Sequence, residues 1–191
     1  MKKIAILSGS LALGVVIALA TGHFLIAKPP TMQIVQAQWK DVYRTPGGLV
    51  AGADLIVIAD HMKAEPGRVV GEGEDATPFT NNTFVVESIL KGVHEDLTLM
   101  LEQTGGIAAD GQVFNINDGG PYEPGSRYLL FLKSRGDGSY YLISYQARYR
   151  IDEGEVLEGV DPTDRVVSRL HKLTLDRGRN EIKGRLKLIE Q

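Results

Sequence analysis

The stretch Tyr122–Ile151 (YEPGSRYLLFLKSRGDGSYYLISYQARYRI) limits what this chain can fold into more than any other. Tyr128–Leu132 is an unbroken apolar run, Arg135–Ser139 is a turn, Tyr140–Ser144 is a second run and Ala147–Ile151 a third. Short runs of β-forming residues punctuated by Gly and Asp read as a strand meander. Upstream, Asp54–Met62 (DLIVIADHM) is apolar at five successive positions, which calls for cover on both faces, as in a small closed barrel. Thr80–Leu90 is rich in β-branched residues, and Leu97, Leu99 and Leu101 alternate with polar residues within Asp96–Gln103, the pattern of a strand with one buried face.

Between these strands the sequence predicts an exposed acidic loop over 63–78 and an irregular, glycine-rich segment over Thr104–Gly125, with a short strand at Val113–Ile116. Leu49–Ala53 reads as a short helical turn. After Gly159, Asp161–Asp164 reads as a helix start, and Val166, Leu170 and Leu173 form one stripe of an amphipathic helix. A break is expected over Asp176–Asn180, where Gly178 falls, before Ile182, Leu186 and Ile189 repeat the spacing.

Residues 4–27 carry no charge after a Lys2–Lys3 head, longer than the roughly 20 residues that cross a bilayer as a helix. Ala18-Leu19-Ala20 is a peptidase-type site that would make this a removable signal peptide. Continued apolarity through Phe24–Ala27, followed by Lys28-Pro29-Pro30, fits an uncleaved signal anchor. Both readings place the body outside the cytoplasm, either on the cell membrane or secreted after cleavage near Ala20. The expected organisation is signal anchor or signal peptide over 1–27, a linker over 28–48, a β-domain over 49–160 and an amphipathic helical tail over 161–191. Trp39 and Tyr43 in the linker are expected to pack on the domain rather than sit at a membrane surface.

Charge narrows the partners. The net charge is -3, but residues 31–160 hold 10 basic and 19 acidic side chains, a net of -9. Such a body repels a polyphosphate backbone, so nucleic acid is not an expected partner. The chain has no cysteine, which excludes disulfides, thiol catalysis and Cys-ligated metal.

The succession ADLIVIADHM, TFVVESILKG, DLTLML, a glycine-rich segment, then PGSRYLLFLK, YYLI and ARYRID is similar to a set of bacterial extracytoplasmic domains. Those resemble the netrin-like and tissue-inhibitor-of-metalloproteinases-like version of the OB fold. The likeness covers about residues 50–152. It rests on Asp54 leading the first strand, Lys91-Gly92 ending the second, and Pro124-Gly125 before Tyr128–Leu132. It implies an OB-like barrel, closed or partly open; the residue pattern by itself gives the same mainly β architecture of five or six strands, to which the terminal stretches add an N-terminal transmembrane helix and a C-terminal amphipathic helix. Metalloproteinase inhibitors of that kind chelate the protease zinc with a free N-terminal cysteine, which this chain lacks, so that mechanism does not carry over.

The residues offer little chemistry. His23, His61, His94 and His171 show no metal-ligand spacing, and His61 and His94 are expected as surface or partly buried polar residues. No nucleophile elbow or S-x-x-K motif occurs. Asn115, Asn117 and Asp118 supply oxygen ligands before Gly119-Gly120, but miss the spacing of a calcium loop and read as a turn. Alternation would place Tyr141, Tyr145 and Tyr149 near one face, suited to contacts with glycan, peptide or protein. No catalytic residue, metal or cofactor is expected. The leading expectation is a non-enzymatic binding or interaction module, held on the membrane by its N-terminal helix and partnered by another cell-envelope protein. The alternatives are an inhibitor or accessory subunit of an extracytoplasmic hydrolase, using loop 63–79 or 104–121, and a small secreted hydrolase.

Overall fold

The computed structural model describes residues 32–35, 39, 41–73, 76–107, 113–116 and 119–190. The proposed anchor over residues 1–27 lies outside them, and among the described residues no helix is long and apolar enough to cross a membrane. In chain order the elements are β1 (Met32–Val35), α1 (Pro46–Gly52), β2 (Leu55–Val70), β3 (Thr77–Lys91), β4 (Thr98–Thr104), β5 (Gly106–Ile107), β6 (Val113–Ile116), β7 (Arg127–Ser134), β8 (Ser139–Leu142), β9 (Arg148–Ile151), β10 (Leu157–Gly159) and α2 (Leu175–Ile189).

Seven strands make one sheet in the order β10-β9-β7-β2-β3-β4-β8, and an additional β7–β8 pairing closes β2, β3, β4, β8 and β7 into a ring. Every pairing in the ring is antiparallel except β4 with β8. The continuous apolar run of β2 is thereby explained. Leu55–Ala59 pairs with β7 on one side and, from Ile56 on, with β3 on the other, and all five residues are buried. Phe84, Leu99, Leu101 and Leu129–Leu132 are buried in the same core. A second sheet, β1-β6-β5, has β1 parallel to β6.

The residues that punctuate these strands, Asp54, Lys91-Gly92 and Gly125, hold structural positions. Asp54 accepts from the Ser134 N–H and from Lys133 Nζ, both at 3.1 Å. Lys91 Nζ donates to the carbonyls of Val50, Ala51 and Ala53 at 2.9, 3.0 and 2.5 Å, satisfying the end of α1 that has no intrahelical partners. Gly92 takes φ +83 against the Asp54 carbonyl, where a Cβ would collide. At the other end of the ring, the Gly125 N–H donates to the His61 carbonyl at 2.8 Å.

Three expectations are corrected. Residues 63–70 are not loop: β2 continues to Val70 and β3 begins at Thr77, so the two form a long hairpin arm extending beyond the ring. Register shifts at His61/Lys63 and Pro66/Val69 admit Pro66 and Gly67 into the ladder as bulges, which is why turn residues failed to end the strand. The tail begins not as a helix but as an irregular segment with one 3-10 turn at Val167–Arg169, although Val166 and Leu170 are buried and Leu173 packs on the core. Then α2 runs straight through the expected break. Gly178 lies against β10, where a Cβ would stand 2.5 Å from Leu157 Cδ1, so it is a close-approach glycine rather than a breaker. Trp39 and Tyr43 pack against the core, as expected.

One buried side chain joins three distant segments. Gln146 accepts from the Tyr43 N–H at 2.8 Å and donates to the Tyr43 carbonyl at 3.1 Å, taking the place of a strand neighbour. The same amide nitrogen donates to Asp164 Oδ1 and Oδ2 at 3.0 and 3.1 Å. Asp164 also accepts from the N–H groups of Val166 and Val167 and from the Tyr145 hydroxyl.

Candidate functional site

The tyrosines of the meander do not share a face. The turn after β7 is set by Asp137, which accepts from Ser139 N–H and Oγ at 2.9 and 2.6 Å, with Gly136 and Gly138 at φ +84 and +88. Tyr141 on β8 then points outward. A 3-10 turn at Tyr145–Ala147 interrupts the alternation before β9. Tyr145 is half-buried, with its hydroxyl donating to Asp164 at 2.8 Å, while Tyr149 is fully buried beside Phe131. Asn115 lies in β6 opposite Ile34, and Asn117 and Asp118 fall outside the described residues.

Tyr141 belongs instead to a composite face that the hairpin arm completes. Glu102, on β4, receives the Arg68 guanidinium through two of its nitrogens (Nε to Oε2 2.9 Å, Nη2 to Oε1 3.0 Å). On its other side Arg135, from the β7–β8 turn, approaches at 2.7 Å. Two aromatic rings back the clamp: Arg68 lies 4.6 Å over Phe79, and Arg135 lies 5.0 Å over Tyr141. The Glu102 side chain is only 11% exposed, so the carboxylate is seated within the face rather than waving from it. Its hydrogen bond holds the Arg68 guanidinium above the ordinary arginine value. Hydrogen bonds from Ser139 hold Asp137 below the ordinary carboxylate value, and Arg135 adds to this. Two guanidiniums thus face two carboxylates. Such a surface presents planar stacking area and directional donors with no surplus charge. Met100 is exposed on the same strand as Glu102.

No sequence pattern links Arg68, Phe79, Glu102 and Arg135, and Arg68 falls within the Gly-, Glu- and Pro-rich stretch that predicts a loop. The readable signal was Arg68-Val69-Val70 followed by Thr77, β-branched residues flanking a Gly/Glu tip.

The histidines occupy separate places. His61 is buried, contrary to the expectation of a surface or partly buried residue. The strand does not end there, and Phe84 and Tyr122 close over its ring at 5.0 and 5.7 Å between centroids. Neither of its ring nitrogens has a hydrogen-bond partner among the described residues. Beside it, the buried Arg148 lies 3.8 Å over Tyr122 and donates to the carbonyls of Gly120 and Pro121 at 2.6 and 3.1 Å, pinning that loop to the end of the ring. His94 bonds the Thr98 carbonyl and the Tyr140 hydroxyl. His171 Nδ1 accepts from the Gly159 N–H, which puts the proton of the neutral ring on Nε2. Among the described residues no three His, Asp or Glu side chains gather as metal ligands.

No protein-family profile and no curated protein matches this sequence.

Proposed function

We propose that this chain is a non-enzymatic binding module: an OB-like β-barrel held outside the cytoplasm by its apolar N-terminal segment, with a cell-envelope protein as its partner. The observation that carries the reading is the composite face of Phe79, Arg68, Glu102, Arg135 and Tyr141. OB barrels are five-stranded, and they bind across the second and third strands with the loops that follow the first and fourth. In the ring those strands are β3 and β4, and those loops are the hairpin arm and the β7–β8 turn. All four contribute to the face. Its balanced charge suits a protein surface better than a polyanion.

A photo-crosslinking residue at Met100, within the face, tests this in intact cells against the same residue at Glu153, exposed elsewhere. A discrete protein adduct at position 100, absent at 153 and lost on Tyr141→Ala together with Arg135→Ala, is the expected outcome. Adducts at both positions alike, or one that survives those substitutions, would remove the face from consideration.

A further inference from the structure

The outer face of α2 has no described partner. Its inner face is spoken for by Leu175, Gly178 and Ile182, all buried, with Leu186 partly so. On the opposite side Arg177, Lys183 and Lys187 are exposed, with Gly184 between them and Leu188 73% exposed at the last turn. None of the three cations makes an ion pair among the described residues. This sets them apart from Arg185, which pairs with Glu181, and from Arg179, which pairs with Glu87 and engages Asp176, the exposed acid on the same side as the three cations. The rest of the body is strongly acidic, net -9 over residues 31–160. A free cationic helix face on an acidic body is adapted to an anionic surface.

The chain path indicates which surface. Residues 4–27 are long and apolar enough to enter a bilayer, and only Lys28–Thr31 separate them from β1. Ala27 and Met32 can be at most roughly 17 Å apart. So short a tether holds the whole body, α2 included, at high effective concentration near the bilayer.

The geometry points to the Arg177/Lys183/Lys187 face of α2 as a docking surface for the anionic phospholipid headgroups of the membrane that the N-terminal segment enters. The helix lies flat on the headgroups, its lysines against phosphate and Leu188 at the acyl boundary. This fixes how the module is held and rests on the tethered reading above.

The absence of cysteine allows a clean test on the full chain. Gly184 stands at the centre of the face, and a Cβ there meets nothing within 4 Å, so Gly184→Cys accepts a spin label without disturbing the helix. The labelled chain is reconstituted in phosphatidylcholine vesicles with and without phosphatidylglycerol. With phosphatidylglycerol present, collision of the label with a water-soluble relaxing agent is expected to fall by about threefold or more. The protection should disappear at high salt and in Arg177→Glu/Lys183→Glu/Lys187→Glu, while a label at Glu153→Cys stays unaffected. A label equally accessible in both vesicles, in a chain that resists alkaline extraction, overturns the docking surface and leaves the tether standing. Extraction of the chain by alkali overturns the tether itself. Protection that depends on protein density in the bilayer rather than on phosphatidylglycerol assigns the face to a second copy and also overturns the proposal.

Discussion

Replacing Gln146 by methionine keeps the side-chain volume and removes the one amide that joins residues 43, 146 and 164. The substitution strips the Tyr43 N–H of its acceptor, the Tyr43 carbonyl of a donor and Asp164 of a donor to its carboxylate. Gln146 is only 1% exposed, so water does not replace these partners. Two neutral hydrogen bonds at about 1 kcal/mol each and one to a charge at about 1.5–3 kcal/mol put the loss at about 3–5 kcal/mol. Urea unfolding followed by Trp39 fluorescence reads it as a lower midpoint with an unchanged slope, because the surface exposed on unfolding stays the same. Gln146→Glu should cost more at neutral pH, since it sets a second carboxylate against Asp164. A loss under about 1 kcal/mol for Gln146→Met would refute the reasoning. It would mean that the three segments are held by the burial of Val166, Val167 and Leu170 alone.

Stability should also fall at both ends of the pH scale. Burial alone would raise the Asp164 carboxyl, but hydrogen bonds from Val167, Tyr145, Gln146 and Val166 hold it below the ordinary value. Its contribution is therefore complete above the unfolded value near 4 and is lost as pH drops through the lower folded value. Burial, reinforced by Asp164, pushes the Tyr145 hydroxyl up to about 12. The folded state thus holds a proton that the unfolded chain releases near pH 10, and stability declines between those values; Tyr145→Phe should flatten that limb in a urea series against pH. Gly178→Ala should cost about 1–3 kcal/mol by driving a methyl group into Leu157, measured by thermal unfolding. His61→Phe should be neutral or stabilising by up to about 2 kcal/mol, because it removes two unpartnered nitrogens from an aromatic setting; a clear loss would show that His61 has a partner in the folded chain.

The β character of the chain was legible because the apolar runs of β2 and β7 admit few other accommodations, and Val113–Ile116 was placed correctly within a glycine-rich segment. What escaped was set by contacts between distant residues. Pro66 and Gly67 are tolerated mid-strand because β2 itself bulges there, taking three residues from Pro66 to Val69 against two on β3, and Gly178 is helical because Leu157 needs the space. Both residues carry local propensities that tertiary packing overrides. Alternation would align Tyr141, Tyr145 and Tyr149, but a single 3-10 turn resets it, so one of the three reaches the candidate face. Arg68 and Glu102 are 34 residues apart, and no periodicity connects them.

The ring is stitched unevenly. Twelve residue pairs join β2 to β3, yet β8 meets β4 through two, Met100 with Ser139 and Leu101 with Tyr140. The hairpin and its neighbour β4 can assemble from local contacts, whereas this last seam must wait for a loop of nearly forty residues to close, the slow kind of event in β folding. The same seam is the natural place for native-state breathing, so amide protons along β8 should exchange through sub-global openings while those of Ile56–Ala59 exchange only with complete unfolding. Because Tyr141 and the turn that carries Arg135 ride on that strand, the candidate face would loosen and re-form with each opening, giving a partner a way in that the static surface conceals.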